Sequence, residues 1–265
     1  MSTIAIVIWA RFAPESLRPE LYGIAIGLTI AMLIELIVFL IRKWSLLRVY
    51  AKCYFPLSSK EIRLTIAYLF KIECHGKYLL VKSKRIPNTY QPVGGVYKYF
   101  SPEADNILSK MTIIPDNSIP NDGYSEHDLR VKMKNRCHVP LFLKWFFELK
   151  QRELSPWREF YEELVATKIL PAKIFSYMFY DLIGQHLEQI HFDPHFRIDT
   201  LKYADIYIPR YSSDEQRFSL KKLAQQVNDD QYIWATENEI INKFTHDGKR
   251  IADHTCKIFH TKTFQ

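Results

Sequence analysis

Ser155–Leu170 reads SPWREFYEELVATKIL and predicts a helix. Ser155 is placed as its N-cap and Pro156 at the first helical position, where a missing N–H costs nothing. Phe160, Leu164 and Thr167 stand at i, i+4 and i+7 and draw the stripe such a helix buries. Glu159, Glu162 and Glu163 stand at i, i+3 and i+4, so three carboxylates share one face. Like charges that close repel, and a divalent cation relieves them. Mg²⁺ takes oxygen ligands, commonly one or two carboxylates together with phosphate oxygens. Arg158 reaches Glu162 at i+4 and orients it. The plainer reading of the same spacing is a solvated acidic face with an ordinary salt bridge.

Strand patterns lie on both sides of this helix. Upstream, Arg63–Ile72 and Lys77–Lys82 are rich in β-branched and aromatic residues, and Glu73–Gly76 between them predicts the turn of a hairpin. Tyr90–Tyr99, YQPVGGVYKY, follows. Its Pro92 and Gly94-Gly95 interrupt the strand pattern and predict a bend with close backbone approach. Residues 100–150 read as an insertion of short elements, with turns at Pro102, Pro115, Pro120 and Asp122-Gly123. Within it, Leu141–Lys150 fits either a strand or a short apolar helix. Downstream, Ile174–Tyr180 and Leu201–Pro209 read as strands and Leu220–Val227 as a short helix. Tyr232–Ile241 reads as a strand entering an acidic helix start, and Ile251–Phe259 as a closing helix. No internal repeat is visible.

Near the N-terminus, Leu21–Ile41 reads LYGIAIGLTIAMLIELIVFLI, with Glu35 as its single charge. About 20 apolar residues suffice to cross a bilayer. Arg42, Lys43, Arg48 and Lys52 follow the run, whereas a signal peptide carries its basic flank in front. This bias predicts that the C-terminal side faces the cytoplasm. The expected organisation is a membrane region over residues 1–44, with its helix at about 21–41, and a folded domain over 45–265 that begins in a short linker through residue 60. Ile4–Ala10 is apolar but too short to cross alone. An acid inside a span costs ~2.5–3.5 kcal/mol on insertion scales. Glu35 marks either a helix–helix contact in an oligomer or an acid with no role. Gly23, Gly27 and Ala31 recur at i, i+4 and i+8 and let helices approach closely.

Composition narrows the classes further. Hydrophobic residues make 48% and aromatics 14% of the chain, which supports a real core and excludes a disordered one. The formal charge of +7 comes without a dense basic run, so it suits anionic lipid or a phosphate-bearing ligand and argues against duplex DNA. Cys53, Cys74, Cys137 and Cys256 are widely spaced and read as free thiols. His191 and His195 have metal-like spacing, but Pro194 between them opposes a helix. No Walker loop, GxSxG or HExxH occurs.

Three motifs in order carry a family resemblance. Arg158–Leu164, REFYEEL, is similar to the REUxEExGU core of the Nudix box. Gln91-Pro92-Val93-Gly94-Gly95 resembles the glycine-rich strand end that precedes the box. Trp234, Glu237 and Glu239-Ile240 resemble the tryptophan–acid–isoleucine element near the end of many Nudix domains. The resemblance covers about residues 62–260. It implies an α/β fold, an α/β/α sandwich with mixed sheet, and Mg²⁺ on Glu159, Glu162 and Glu163 with Arg158 supporting them. The full pattern, GX5EX7REUxEExGU, is not met: Lys150 stands where it asks for glutamate, Lys144 for the first glycine, and Val165 for the closing glycine. These departures make the domain a degenerate Nudix-like domain and argue against hydrolysis.

A hydrophobic anchor on such a domain resembles the membrane–Nudix effectors of bacterial CBASS antiphage systems. That resemblance implies a homo-oligomer in the inner membrane with its soluble domain in the cytoplasm. The domain would sense a cyclic oligonucleotide and the membrane helices would disrupt the bilayer. Lys82, Lys84, Arg85, Tyr90 and Lys98 flank the strands that form the cleft in the family and are the expected nucleotide contacts. The alternative is a membrane-tethered Mg²⁺-dependent nucleotide pyrophosphohydrolase. A third reading is a scaffold that uses the fold only for protein contacts, since fold alone does not fix function.

Overall fold

One helix, α1, runs from Arg18 to Tyr54. At ~1.5 Å per residue such a helix is about 55 Å long. In the computed structural model, residues 8, 11–55, 60–116, 118, 126–226 and 228–261 are described. The chain separates into two units, Met1–Leu47 and Arg48–Thr263. The apolar stretch Ile4–Ala10 lies, Ile8 apart, outside the described residues, as do Pro120, Asp122-Gly123 and Val227.

In the first unit the helix is apolar on every side. Its most apolar window has a mean hydropathy of 2.8 and is 6% buried, and the helix is long and apolar enough to cross a membrane. Ile26, Met32, Ile37 and Ile41 are all exposed, as is Glu35. The expected linker over residues 45–60 is corrected in its first part, because residues 45–54 continue the helix. No glycine or proline interrupts Trp44–Tyr54, and Pro56 biases the residue before it away from helix. The last turns of α1 belong to the second unit, where Val49 and Cys53 are fully buried and Lys52 Nζ donates to the Ile190 carbonyl at 3.0 Å.

The second unit is a mixed α/β domain built on two mixed sheets. Its early strands are β1 (Ile62–Phe70), β2 (Glu73–Cys74), β3 (Lys77–Lys82), β4 (Thr89–Pro92) and β5 (Gly94–Val96). Next come α2 (Asp105–Lys110), β6 (Ile113–Pro115), β7 (Arg130–Met133), α3 (Val139–Phe147) and the short helix α4 (Trp157–Phe160). Then follow β8 (Phe179–Leu187), β9 (His191–Asp193), β10 (Ile198–Arg210), α5 (Asp214–Gln225), β11 (Tyr232–Thr236), α6 (Glu237–Asn242) and β12 (Arg250–Ile251).

The larger sheet has the order β6-β7-β1-β10-β8, with β5 also on β1 and β9 on β10. β1 and β10 run parallel, from Ile62 opposite Asp199 to Phe70 opposite Tyr207. The smaller sheet has the order β11-β3-β4-β12, with β2 on β3. A core of Leu69, Leu80, Ala204, Ile206, Ile233, Ile240 and Ile251 joins residues of both sheets. β1 is buried along nearly its whole length, as a central strand covered on both faces must be.

Several expectations change with this topology. β1 and β3 are not hairpin partners, because they lie in different sheets. The turn closes a shorter hairpin, β2 with β3. His75 (φ 52°) and Gly76 (φ 74°) take the left-handed conformations that a tight two-residue hairpin turn requires. The predicted insertion over residues 100–150 is part of the core: β7 pairs with β1, and α3 sets Phe146 edge-to-face against Tyr97 and Tyr203. Leu141–Lys150 is therefore mostly helical, with Pro140 in its first turn. Ile174–Tyr180 enters β8 only at Phe179, and the closing helix is a 3₁₀ segment over Asp253–Ile258. The tryptophan–acid–isoleucine element serves as a helix cap. Thr236 and Glu239 form a reciprocal capping box on α6, and Ile240 fills the core between the sheets.

Candidate functional site

The predicted helix over Ser155–Leu170 begins as α4 and then widens into a π-helical turn over Tyr161–Val165, where the Ala166 N–H donates to the Tyr161 carbonyl at 2.8 Å. Such turns are rare and recur at functional sites. Pro156 takes the cap position, and Ser155 Oγ accepts from the Trp157 N–H at 3.2 Å. Phe160 anchors the segment by edge contact with Phe70 of β1 at 5.4 Å. A π turn takes more residues per revolution than an α turn. Residues four apart therefore come closer to alignment, and residues three apart fall further round. Glu159 and Glu163 are accordingly the inward pair, whereas Glu162 keeps 37% of its side chain exposed.

The glycine element lies directly against this pair. β5 runs antiparallel to β1, with Gly94 opposite Leu69 and Gly95 opposite Tyr68. A Cβ on Gly94 would come within 2.2 Å of the Tyr68 carbonyl oxygen. A Cβ on Gly95 would come within 2.0 Å of Glu159 Oε1. Both glycines are thus required by close approach, one to backbone and one to a box carboxylate. The Gly94 N–H donates to Glu163 Oε2 at 3.0 Å. Burial, reinforced by the Glu159 carboxylate, pushes the Glu163 carboxyl up to about 8. Burial also raises Glu159, despite the opposing pull of Arg158.

Arg158 organises the other side. Its Nη1 donates to Glu159 Oε1 at 2.7 Å, and its Nη2 donates to the Val96 carbonyl at 3.1 Å. Its Nε and Nη2 meet the two oxygens of Glu153 at 3.0 and 3.2 Å, a bidentate pair. Burial opposes its charge, but the hydrogen bond to Glu153 and the carboxylate field outweigh that and raise its pKa. Glu162 lies 3.7 Å away, an outer contact only.

Glu153 is the residue that spacing missed. Counting from Arg158 leads to Lys150, which is exposed and takes no part. The chain shortens the approach and brings Glu153 to the arginine instead. There it also accepts from the Lys98 N–H at 3.2 Å. The sequence held one signal for it, an acid just before the Ser155-Pro156 helix start.

The expected metal ligands are partly brought together. Among the described residues, no three acidic, histidine or cysteine side chains converge as a metal cage. Glu159 and Glu163 form a pair, and a pair of carboxylates with phosphate oxygens is how Mg²⁺ is often held. His191 lies in β9 and His195 in the turn after it. All four cysteines are free.

The expected nucleotide contacts divide between two clefts. One, of 410 Å³, is lined by Lys82, Lys84, Glu163, Thr167 and Gln231 among others. The other, of 490 Å³, is lined by Lys82, Tyr90, Asp230, Asp247, Lys249 and Arg250 among others. Lys82 stands in both, with its Nζ 2.6 Å from Asp230 Oδ2. Tyr90 is 4% exposed and donates its hydroxyl to the Asp230 carbonyl, so its ring is no open stacking platform. Arg85 is exposed in the loop after Lys84. Lys98 lies in neither lining and is held by the Glu126 carbonyl at 2.7 Å and by Asp128 at 3.5 Å.

The family model of the SMODS-associated NUDIX domain matches residues 61–259, which is nearly the whole second unit. The chain belongs to this family. The SMODS-associated NUDIX domain ties the protein to the context of CBASS-type systems, with its box at Arg158–Leu164 and its glycine element at Gly94-Gly95. No curated protein matches the chain.

Proposed function

We propose that this SMODS-associated NUDIX protein is a nucleotide-sensing effector of a CBASS-type system. Its domain binds a cyclic oligonucleotide, and its apolar helix then acts on the bilayer as part of a homo-oligomer. The observation that carries the reading is the cleft beside the box. It is lined by Lys82 and Lys84, opens onto Glu163, and belongs to a chain with a helix able to cross a membrane. Its 410 Å³ falls within the size range of small-molecule sites. The lysines suit phosphate charge. A ligand drives assembly only through unequal affinity for the assembled and free states. The basic flank of the helix favours a cytoplasmic domain, which is where a nucleotide signal would be met.

The test uses the full chain in dye-loaded vesicles with a panel of cyclic di- and trinucleotides. The expected result is dye release with one of them, lost in Lys84→Gln. Release by none, together with no binding by calorimetry, overturns the reading.

The second reading, a Mg²⁺-dependent nucleotide hydrolase, gains from Glu153, which supplies Arg158 with a carboxylate that the box spacing lacked. Glu159 and Glu163 would hold the ion, which would offset phosphate charge and acidify a bound water. Arg158 and the Gly94 N–H would keep the two carboxylates aimed. Sustained release of a mononucleotide product, abolished by Glu163→Gln, would establish it.

A further inference from the structure

Beyond both clefts, positive charge gathers around β7, which lies between β6 and β1. Arg130 begins β7, opposite Thr65 of β1. Its side chain is only 12% exposed. Among the described residues its guanidinium makes one ion-pair contact, 3.7 Å to Asp128 Oδ2, and no hydrogen bond. That carboxylate is also shared with Lys98, 3.5 Å from Oδ1. Both distances lie beyond ordinary hydrogen-bond reach. Arg63 and Lys132 neighbour the cluster but are committed to Asp116, at 2.6 and 3.6 Å. Arg85 adds its field to Arg130 from the loop after β3. Arg63, Arg85, Lys98, Arg130 and Lys132 thus face two carboxylates, buried Asp116 and part-buried Asp128.

Arg130 is largely desolvated, yet its guanidinium nitrogens still reach solvent, so donors without a protein partner face outward. Burial, together with the like charge of Arg85, lowers Arg130 to about 10. A planar fork of donors fits the geometry of a phosphate group. The cluster adjoins the box. The Lys98 N–H bonds Glu153, Arg158 acts on Asp128, and Lys84, next to Arg85, acts on Glu159 and Glu163.

We propose that Arg130, with Lys98 and Arg85, forms a phosphate-binding subsite beside the box that takes a phosphodiester or pyrophosphate group of a nucleotide. For the nucleotide carrier, the inference rests on the sensing reading above. Asp128 partly offsets the clustered positive charge until the anion arrives and satisfies the guanidinium.

The experiment measures binding of inorganic pyrophosphate and of cyclic di-AMP to the full chain in detergent micelles, by calorimetry and by thermal shift. Arg130→Gln is expected to weaken pyrophosphate binding about tenfold or more, the loss of one charged hydrogen bond. Arg130→Lys should retain part of the affinity, and exposed Lys173→Gln should retain all of it. Without ligand, Arg130→Gln should melt at or above the wild-type temperature, since it removes a crowded charge. A lower ligand-free melting temperature makes the residue a structural one and overturns the proposal. So does unchanged pyrophosphate affinity in Arg130→Gln. If cyclic di-AMP binds wild type and Arg130→Gln equally, the subsite fails and sensing stands. If cyclic di-AMP and its relatives bind nothing while pyrophosphate binding needs Arg130, the subsite stands and the sensing reading fails.

Discussion

Replacing Gly94 and Gly95 by alanine should give two different failures, although the residues are adjacent. At Gly94 the new Cβ would lie 2.2 Å from the Tyr68 carbonyl oxygen and 2.9 Å from Leu69 Cα. These are backbone atoms of the central strand, so relief requires β5 to move off β1 and release Glu163 from the Gly94 N–H. Overpacking, a lost ladder and an orphaned buried acid together should cost more than about 4 kcal/mol. At Gly95 the clash is with the Glu159 side chain, 2.0 Å from Oε1 and 2.5 Å from Cγ. That chain can swing away at the expense of its 2.7 Å bond from Arg158. A charge-assisted hydrogen bond is worth ~1.5–3 kcal/mol, and replacing glycine by alanine returns ~0.4–1. The net loss should be about 1–2 kcal/mol, a fall of roughly 2–8 °C for a domain of this size. Thermal unfolding of the full chain in micelles measures both. A second arm combines Gly95→Ala with Glu159→Ala. Once the clashing carboxylate is gone, adding the methyl should cost almost nothing, so the two changes should couple by at least 1 kcal/mol. Additive effects, or Gly94→Ala melting within 2 °C of wild type, would refute the reasoning.

Glu153→Gln should destabilise the domain by about 1–3 kcal/mol in denaturant titrations, because it weakens a bidentate partner of part-buried Arg158. Lys150→Ala should stay within ~0.5 kcal/mol of wild type, and the reverse ranking would return Lys150 to the site. The folded pKa of Glu163, about 8, lies above its ordinary value, so between pH 5 and 8 the folded state holds a proton that the unfolded chain has lost. Stability should therefore fall as pH rises through that window, by up to about 1.4 kcal/mol per unit. Glu163→Gln should flatten this contribution, and parallel pH profiles for the two proteins would contradict the assignment. Finally, the full chain should remain in the membrane pellet after alkaline carbonate washing, and residues 60–261 should be digested by protease added to inverted inner-membrane vesicles. Protection of the domain there would reverse the proposed orientation.

Local chemistry was enough to read the elements whose cause is local. The apolar run at Leu21–Ile41 needs no partner to be recognised, and the strand entering an acidic helix start over Tyr232–Ile241 is set within a few residues. The box was legible for the same reason, since REFYEEL and the paired glycines carry their spacing in the chain itself. Other features depended on contacts across long loops, whose pairing no local pattern encodes. Only tertiary packing put β1 and β3 in different sheets, because a continuous apolar strand pairs equally well with several neighbours. Only tertiary packing drew β7 out of an irregular stretch and chose helix over strand for α3, because short elements gain stability from the sheet they join rather than from their own propensity. The same applies at the site. Counting placed the box's upstream glutamate position at Lys150, whereas in the fold Glu153 is the acid that meets Arg158, because charge pairing follows distance in space. Arg130 is more distant still in sequence from the box, and its burial beside Asp128 and Lys98 exists only once β7 lies against β1.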